Sequence, residues 1–292
     1  MQNRIRIGEV GIQAALRALL PKVRDAGQLA ARLQPLIANV RGPEQKEADH
    51  VARALLTHAD LLLEDRLGSD VLMLFEDASF HGEEHASDRI SQFIPSDCPY
   101  VITLDPINGT WQYTYGLPHY ETILTICDRN WKFLGAIVYR PAFDEAFVAW
   151  SENGRAQAEH IRWQAAEPSV QRYNIRDINA PRALHLDIAW QQHKEKFRDA
   201  NYTLVDIWTD FAGQADWPHS QADVLLGKCR AMVWKAPWSL HIDAAVFGFI
   251  TECAGGVWRR GDLDRETLTY SYSIAAADEA TADLLERLIG SV

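Results

Sequence analysis

The sequence predicts an α+β protein. Three observations carry this. Two long stretches with helical apolar spacing open the chain, short apolar runs separated by turn residues follow between residues 71 and 156, and the remainder mixes strand-like and helix-like segments. At 292 residues the chain is long enough for one large domain or two packed subdomains.

The elements follow in order. Leu16, Leu19, Leu20 and Val23, then Leu29, Leu33, Leu36 and Ile37, lie at helical spacing, with Pro21 marking a kink or break. Gly42-Pro43 punctuates the chain, and a second helix is expected from Glu44, with Ala48, Val51, Ala52, Leu55 and Leu62 on one face and Gly68 as its stop. Val71–Phe75 and residues 101–104 are expected strands. The runs ETILTICD (121–128) and FLGAIVYRP (133–141) form a strand pair around Arg129-Asn130, and EAFVAWSENGRA (145–156) continues the meander. Further on, 183–190 and 230–236 are strand-like, whereas 220–228 and 241–256 are helix-like, the last ended by Gly255-Gly256. The polar stretch near 156–180 is the best boundary, giving an N-terminal α+β part (1–160) and a C-terminal α/β part (161–292).

Composition narrows the function. Hydrophobic residues at 47% and charged residues at 24% are ordinary for a soluble globular protein, and ten Trp point to a large aromatic core or pocket. A formal charge of −11 argues against nucleic acid as a partner, because phosphate backbones need basic surface. Cys98, Cys127, Cys229 and Cys253 are scattered, with no C-x-x-C pair, which favours free thiols in a reducing cytoplasm. The N-terminus lacks the apolar core of a signal peptide, and no apolar stretch of about 20 residues is present to span a membrane.

Three acidic stretches stand out: Glu83-Glu84 after Gly82, Asp105 in ITLDPINGT, and Asp243 at an expected helix start. Mg²⁺ takes oxygen ligands, usually one or two carboxylates with water and substrate phosphate. Two divalent ions ~4 Å apart repel by roughly 16 kcal/mol at an effective dielectric of ~20, so a two-metal site needs several converging carboxylates. Taken singly each cue has an ordinary explanation. A Glu-Glu pair is usually solvated surface, an Asp at a helix start is usually a cap, and Asp-Pro-x-Asn-Gly-Thr suits a tight turn.

In combination and order they resemble the inositol monophosphatase family of Mg²⁺-dependent, lithium-sensitive phosphatases. The carriers are FEDASFHGEE (75–84), DPINGT (105–110), GLPHYETILTI with GAIVYRP, and HIDAAVFGFITECAGG, over about residues 10–270. The family's upstream Thr-x-Ala-Asp pattern is matched to KEAD (46–49). The resemblance implies a layered αβαβα sandwich of the inositol monophosphatase and fructose-1,6-bisphosphatase type, an active site between its halves, and a homodimer. It implies that Glu83, Asp105, the Ile107 carbonyl, position 108 and Asp243 ligate metal. Glu83 and Thr110 would position the attacking water, with Asp105 bridging two metals. The Gly109 and Thr110 N–H groups would receive the phosphate at a helix N-terminus, and Asp243 would complete the second metal beside the substrate.

The chain departs from this pattern. Asn108 stands where the family has its second signature Asp, keeping an oxygen but losing a charge. Three readings stay open: a weakened metal site, a non-catalytic relative that binds a phosphorylated ligand, or a position that deamidates to Asp. Lys46 replaces the Thr and Ile242 the Trp of the pattern, and Trp234-Lys235-Ala236 holds no carboxylate where the family has its inositol-binding acid. Ordinary strand-edge packing is the simpler account of Trp234 and Lys235. His81, His85, His119 and His241 lie near the motifs, and Trp111, Trp217 and Trp238 could line a pocket; packing is the simpler account of each. Two functions follow: a Mg²⁺-dependent phosphomonoesterase acting on a small sugar, polyol or nucleotide phosphate, or a degenerate relative that binds or senses a phosphorylated metabolite.

Overall fold

A computed structural model describes residues 4–37, 44–45, 55–84, 97–163, 167–186, 194–199, 202–206, 220–236 and 241–290. The chain divides into two compact units, one of Met1–Arg155 with Glu159–Gln171, the other of Ala156–Ala158 with Arg172–Val292.

The first unit opens with helix α1 (Ile12–Ile37) and helix α2 (His58–Leu74). Pro21 and Pro35 lie inside α1 and do not end it. Both sit on its exposed side, where a carbonyl left without its N–H partner can turn to water. The opposite stripe, Ala15, Leu16, Leu19, Val23, Ala26 and Ala30, is fully buried.

The second helix starts later than its sequence pattern suggested. Residues 44–45 and 55–56 pair as a short antiparallel ladder, and α2 begins at His58. Its start is fixed by a capping box in which Thr57 accepts from the Ala59 and Asp60 N–H groups while Asp60 accepts from the Thr57 N–H. Gly68 does not stop this helix, and the expected strand at Val71–Phe75 is its last turn. Gly68 and Val71 are buried, so packing outweighs local propensity. The expected apolar positions at 48, 51 and 52 lie outside the described residues.

The sheet of this unit runs in chain order: β1 (Ala78–Gly82), β2 (Tyr100–Asn108), β3 (Glu121–Asp128), β4 (Phe133–Arg140), β5 (Glu145–Glu152), β6 (Arg155–Arg162) and β7 (Ser169–Arg172). The β1–β2 pair is parallel, and β2 through β5 pair antiparallel. Register aligns Leu104, Leu124, Ile137 and Val148 across four strands, and all four join the core formed with α1 and α2. The next row, Asp105, Ile123, Val138 and Phe147, falls on the other face. β5 and β6 are joined by Asn153-Gly154, with φ of 51° and 74°, the paired left-handed geometry of a two-residue hairpin turn.

The second unit holds a mixed sheet of β8 (Ala183–Leu186), β9 (Thr203–Asp206), β10 (Ala231–Lys235), β11 (Val257–Arg260) and β12 (Tyr272–Ala276), in the spatial order β9-β8-β10-β12-β11. β10 is therefore central, and Trp234 is buried in the sheet interior, not at a strand edge. After the first unit's turn helix, α3 (Thr110–Thr114), the helices of the second unit are α4 (Lys194–Asp199), α5 (Ala244–Cys253) and α6 (Glu279–Gly290). Leu184, Leu186, Phe197, Val233, Ile274 and Leu285 form its core. The expected helix at 220–228 is a three-residue 3-10 turn at Gln221–Asp223 followed by turns, opened by Ser220 accepting from the Ala222 N–H. All four cysteines are buried thiols, and burial pushes those of Cys127 and Cys253 up to about 12, which favours their protonated form.

Candidate active site

The DPINGT segment closes β2 in a bulge. Pairing with β3 is regular from Tyr100 to Asp105, shifts, and resumes with Asn108 opposite Glu121. Pro106 explains the irregularity, because it brings no N–H to the ladder. Side chains rebuild what the ladder loses: the Ile107 N–H donates to Asp105 Oδ1 at 3.1 Å, and the Thr122 hydroxyl donates to the Pro106 carbonyl at 3.0 Å. Gly109 then turns the chain at φ 88°, ψ 40°, a left-handed conformation natural to glycine. An added Cβ there would stand 3.1 Å from Gln112 Oε1 and 3.2 Å from the His119 carbonyl.

A five-residue helix, α3 (Thr110–Thr114), follows. The Thr110 hydroxyl donates back to the Ile107 carbonyl at 3.0 Å, which leaves that oxygen a second lone pair. α1 fastens the segment from behind. Gln34 Nε2 donates to the carbonyls of Tyr113 and Leu117, and the Tyr113 hydroxyl donates to the Ala30 carbonyl.

Glu83 is delivered by β1. Its N–H donates to the Leu104 carbonyl at 2.9 Å, which sets it one strand over from Asp105. The neighbouring turn is held by Glu64 of α2, almost fully buried, whose Oε2 accepts from the Glu84 N–H at 2.8 Å. Gly82 packs directly on this carboxylate, which an added Cβ would strike.

The first unit thus brings Glu83, Asp105, Ile107, Asn108, Gly109 and Thr110 to the ends of two adjoining strands. Asp105 is 2% and Asn108 4% exposed, so a charge or amide here acts in a partly desolvated setting. Asp243, in the second unit, is the N-cap of α5, and its Oδ1 accepts from the Ala244 N–H. The cap is the local role expected of an acid at a helix start.

Among the described residues, no group of three or more His, Cys, Asp or Glu side chains is gathered as a metal site. The donors at the turn are two carboxylates, an amide and a main-chain carbonyl, all hard oxygen ligands. They fit one Mg²⁺ that completes its octahedron with water and phosphate.

The histidines near the motifs are packed on aromatic rings: His81 on Trp131, His119 on Phe143, and the fully buried His241 on Tyr270. Trp111 stacks on Tyr115, while Trp217, Trp238 and His85 lie outside the described residues.

Sequence reading missed three residues. Thr57-His58-Ala59-Asp60 is a literal Thr-x-Ala-Asp, and it opens α2, whereas KEAD at 46–49 lies outside the described residues. Asp60 and Glu64 are the two most deeply buried acids of this helix. The third is Glu121, a buried acid that accepts from the Asn108 amide at 3.2 Å. A charged residue opening an otherwise apolar strand was the signal for it.

These parts set carboxylate, amide and main-chain oxygens beside a glycine turn, and comparison with known proteins supplies the class. The model of the inositol monophosphatase family matches residues 20–291, so the chain belongs to that family of phosphatases. An inositol-1-monophosphatase of Rhizobium meliloti (strain 1021) is 28% identical over 140 residues, covering 48% of this chain and 46% of the relative, so the match spans about half that relative's length. Among solved structures, the extragenic suppressor protein suhB from Bartonella henselae has a TM-score of 0.67 at 17% identity, covering 94% of this chain and 98% of that one. An IMPase of Thermotoga maritima has a TM-score of 0.66 at 16% identity, covering 95% and 97%. At these identities the likeness shows the fold, the layered α+β architecture of this family.

Proposed function

We propose that the chain is a Mg²⁺-dependent phosphomonoesterase acting on a small phosphorylated metabolite. The observation that carries the reading is the delivery of Glu83 and Asp105 to the ends of the paired strands β1 and β2, directly before the Asn108-Gly109-Thr110 turn. Glu83, Asp105, the Ile107 carbonyl and the Asn108 amide oxygen would hold the ion. Lewis-acid activation of water and neutralisation of phosphate charge are the chemistry such an ion supplies.

The chain's own residues do the rest. Glu83 would accept a hydrogen bond from the attacking water and so orient it. Thr110, tied to Ile107, keeps the turn closed and offers its hydroxyl oxygen to the same water. The Gly109 and Thr110 N–H groups stand where helix amides have no intrahelical acceptor and would receive phosphate oxygens. Asp243 is the carboxylate that the second unit would contribute, and Asp243→Asn is the variant that tests it. The absence of a carboxylate at Trp234-Lys235-Ala236 makes inositol monophosphate a poor first substrate, so sugar, polyol and nucleotide monophosphates come first.

The second reading, a binding or regulatory relative, draws on one observation: the neutral Asn108 at a ligand position. Phosphate release over a phosphomonoester panel, with and without Mg²⁺, separates the two. The enzyme reading predicts Mg²⁺-dependent release that falls at least about 100-fold in Asp105→Asn. Release from no substrate, with tight binding of one of them, would favour the second reading.

A further inference from the structure

Asn108 and Glu121 sit directly opposite each other where the ladder between β2 and β3 resumes. The Asn108 Nδ2 donates to Glu121 Oε2 at 3.2 Å, and both side chains are buried. A carboxylate can only accept, so the amide must turn its nitrogen towards Glu121 and its oxygen away.

Glu121 is itself held. The Arg140 guanidinium, 3% exposed, lies with Nε 3.8 Å from Glu121 Oε1. Arg140 is in turn paired through Nη1 with Glu145 and stacked over the Phe143 ring at 4.1 Å. Glu145 closes the chain on His160 at 2.9 Å and Arg162 at 3.4 Å. One buried arginine therefore already serves two buried carboxylates, Glu121 and Glu145. An aspartate at position 108 would put a third negative group against Glu121, with the hydrogen bond lost and two acceptors facing each other.

We propose that Glu121 is a positioning residue of the DPINGT turn: it fixes the Asn108 amide so that Oδ1 is the neutral oxygen offered to the cation, and it makes asparagine, not aspartate, the residue that position 108 requires. The ligand role of Asn108 rests on the phosphatase reading above; the pairing of Asn108 with Glu121 does not. On this account the missing signature Asp is not a lesion that a single reversion repairs. The acid absent at position 108 is present across the strand pair, at Glu121.

The test is a double-mutant cycle on the full chain, read by thermal unfolding in EDTA and by calorimetric titration with Mg²⁺ in the presence of inorganic phosphate. Asn108→Asp alone should lower the unfolding midpoint by roughly 5 °C. The same change in the Glu121→Gln background should cost far less, because the glutamine amide can donate to the new carboxylate. Glu121→Gln should keep Mg²⁺ affinity near that of the native chain, since its carbonyl still accepts from Asn108. Glu121→Leu should weaken it about tenfold, a change that a purely structural role would not produce.

Equal midpoints for the native chain and Asn108→Asp in both backgrounds would overturn the pairing. Unchanged Mg²⁺ affinity in Glu121→Leu would overturn the positioning role. Stability coupling with no Mg²⁺ binding in any variant, the native chain included, would overturn the phosphatase reading and with it the ligand role of Asn108, while upholding the pair.

Discussion

The turn at 105–110 and the helix start at 243 each place an aspartate where the chain changes direction, but they are built differently. Asp105 is the last regularly paired residue before a bulge in a seven-stranded sheet, its carboxylate braced by the Ile107 N–H, and the segment after it is tied to α1 by Gln34 and Tyr113. Asp243 has a local arrangement: it caps α5, accepting from the N–H of the next residue. Around the first, long-range contacts also hold the backbone in an irregular shape. Around the second, helix formation itself supplies the geometry. The same sequence cue, an acid before a turn, marks an irregular strand end tied to a distant helix in one place and a helix cap in the other.

Two expected outcomes sharpen this contrast. The larger concerns the ionic network behind the turn. Burial alone would raise the Glu145 carboxyl, but hydrogen bonds and charge from His160 and Arg140 pull it down to about 2 from 4.5. A depressed acid stabilises the fold above its unfolded value and loses that contribution as pH falls through its folded value. Stability on the order of 3 kcal/mol should therefore be present above about pH 4.5 and drain away towards pH 2. Unfolding midpoints measured across that range check it, and Glu145→Gln should flatten the acid slope. An unchanged slope in that variant would break the claim that buried charges brace the sheet behind the turn.

The smaller concerns the cap. Asp243→Ala should destabilise by about 1 kcal/mol, the usual cost of removing a helix N-cap. Hydrogen exchange of the first turn of α5 should show the loss there, with the β2–β3 amides unaffected. Equal loosening of both regions would contradict the distinction between long-range and local support.

Much of the first unit was legible because its signals are local. Alternation and turn residues marked β3, β4 and β5, whereas the Asn153-Gly154 hairpin lay unremarked inside the run 145–156. Gly82-Glu83-Glu84 and the DPINGT segment marked the candidate site because their order along the chain is specific. The start of α2 was misread because Gly42-Pro43 is strong punctuation, while the true start is a capping box whose pattern, Thr57 to Asp60, was present but matched to 46–49. Its end was misread because Gly68 and the apolar run 71–75 look like a stop and a strand; burial against the sheet carries the helix through both.

Glu121 and Arg140 were overlooked for another reason. Each is a charged residue at the end of an apolar strand, where solvent exposure is the ordinary expectation. Only the register that sets Asn108 against Glu121 shows that the missing charge at one position is present at the other.

The most direct test of the account is calorimetric titration of Mg²⁺, with inorganic phosphate present, into the native chain, Asp105→Asn and Asp243→Asn. If the turn is the cation site, the native chain binds and Asp105→Asn loses binding by at least about tenfold. The Asp243→Asn titration shows whether the second unit supplies a ligand as well. Binding by Asp105→Asn as tight as by the native chain would contradict the central claim, because the best-supported carboxylate of the turn would then hold no metal.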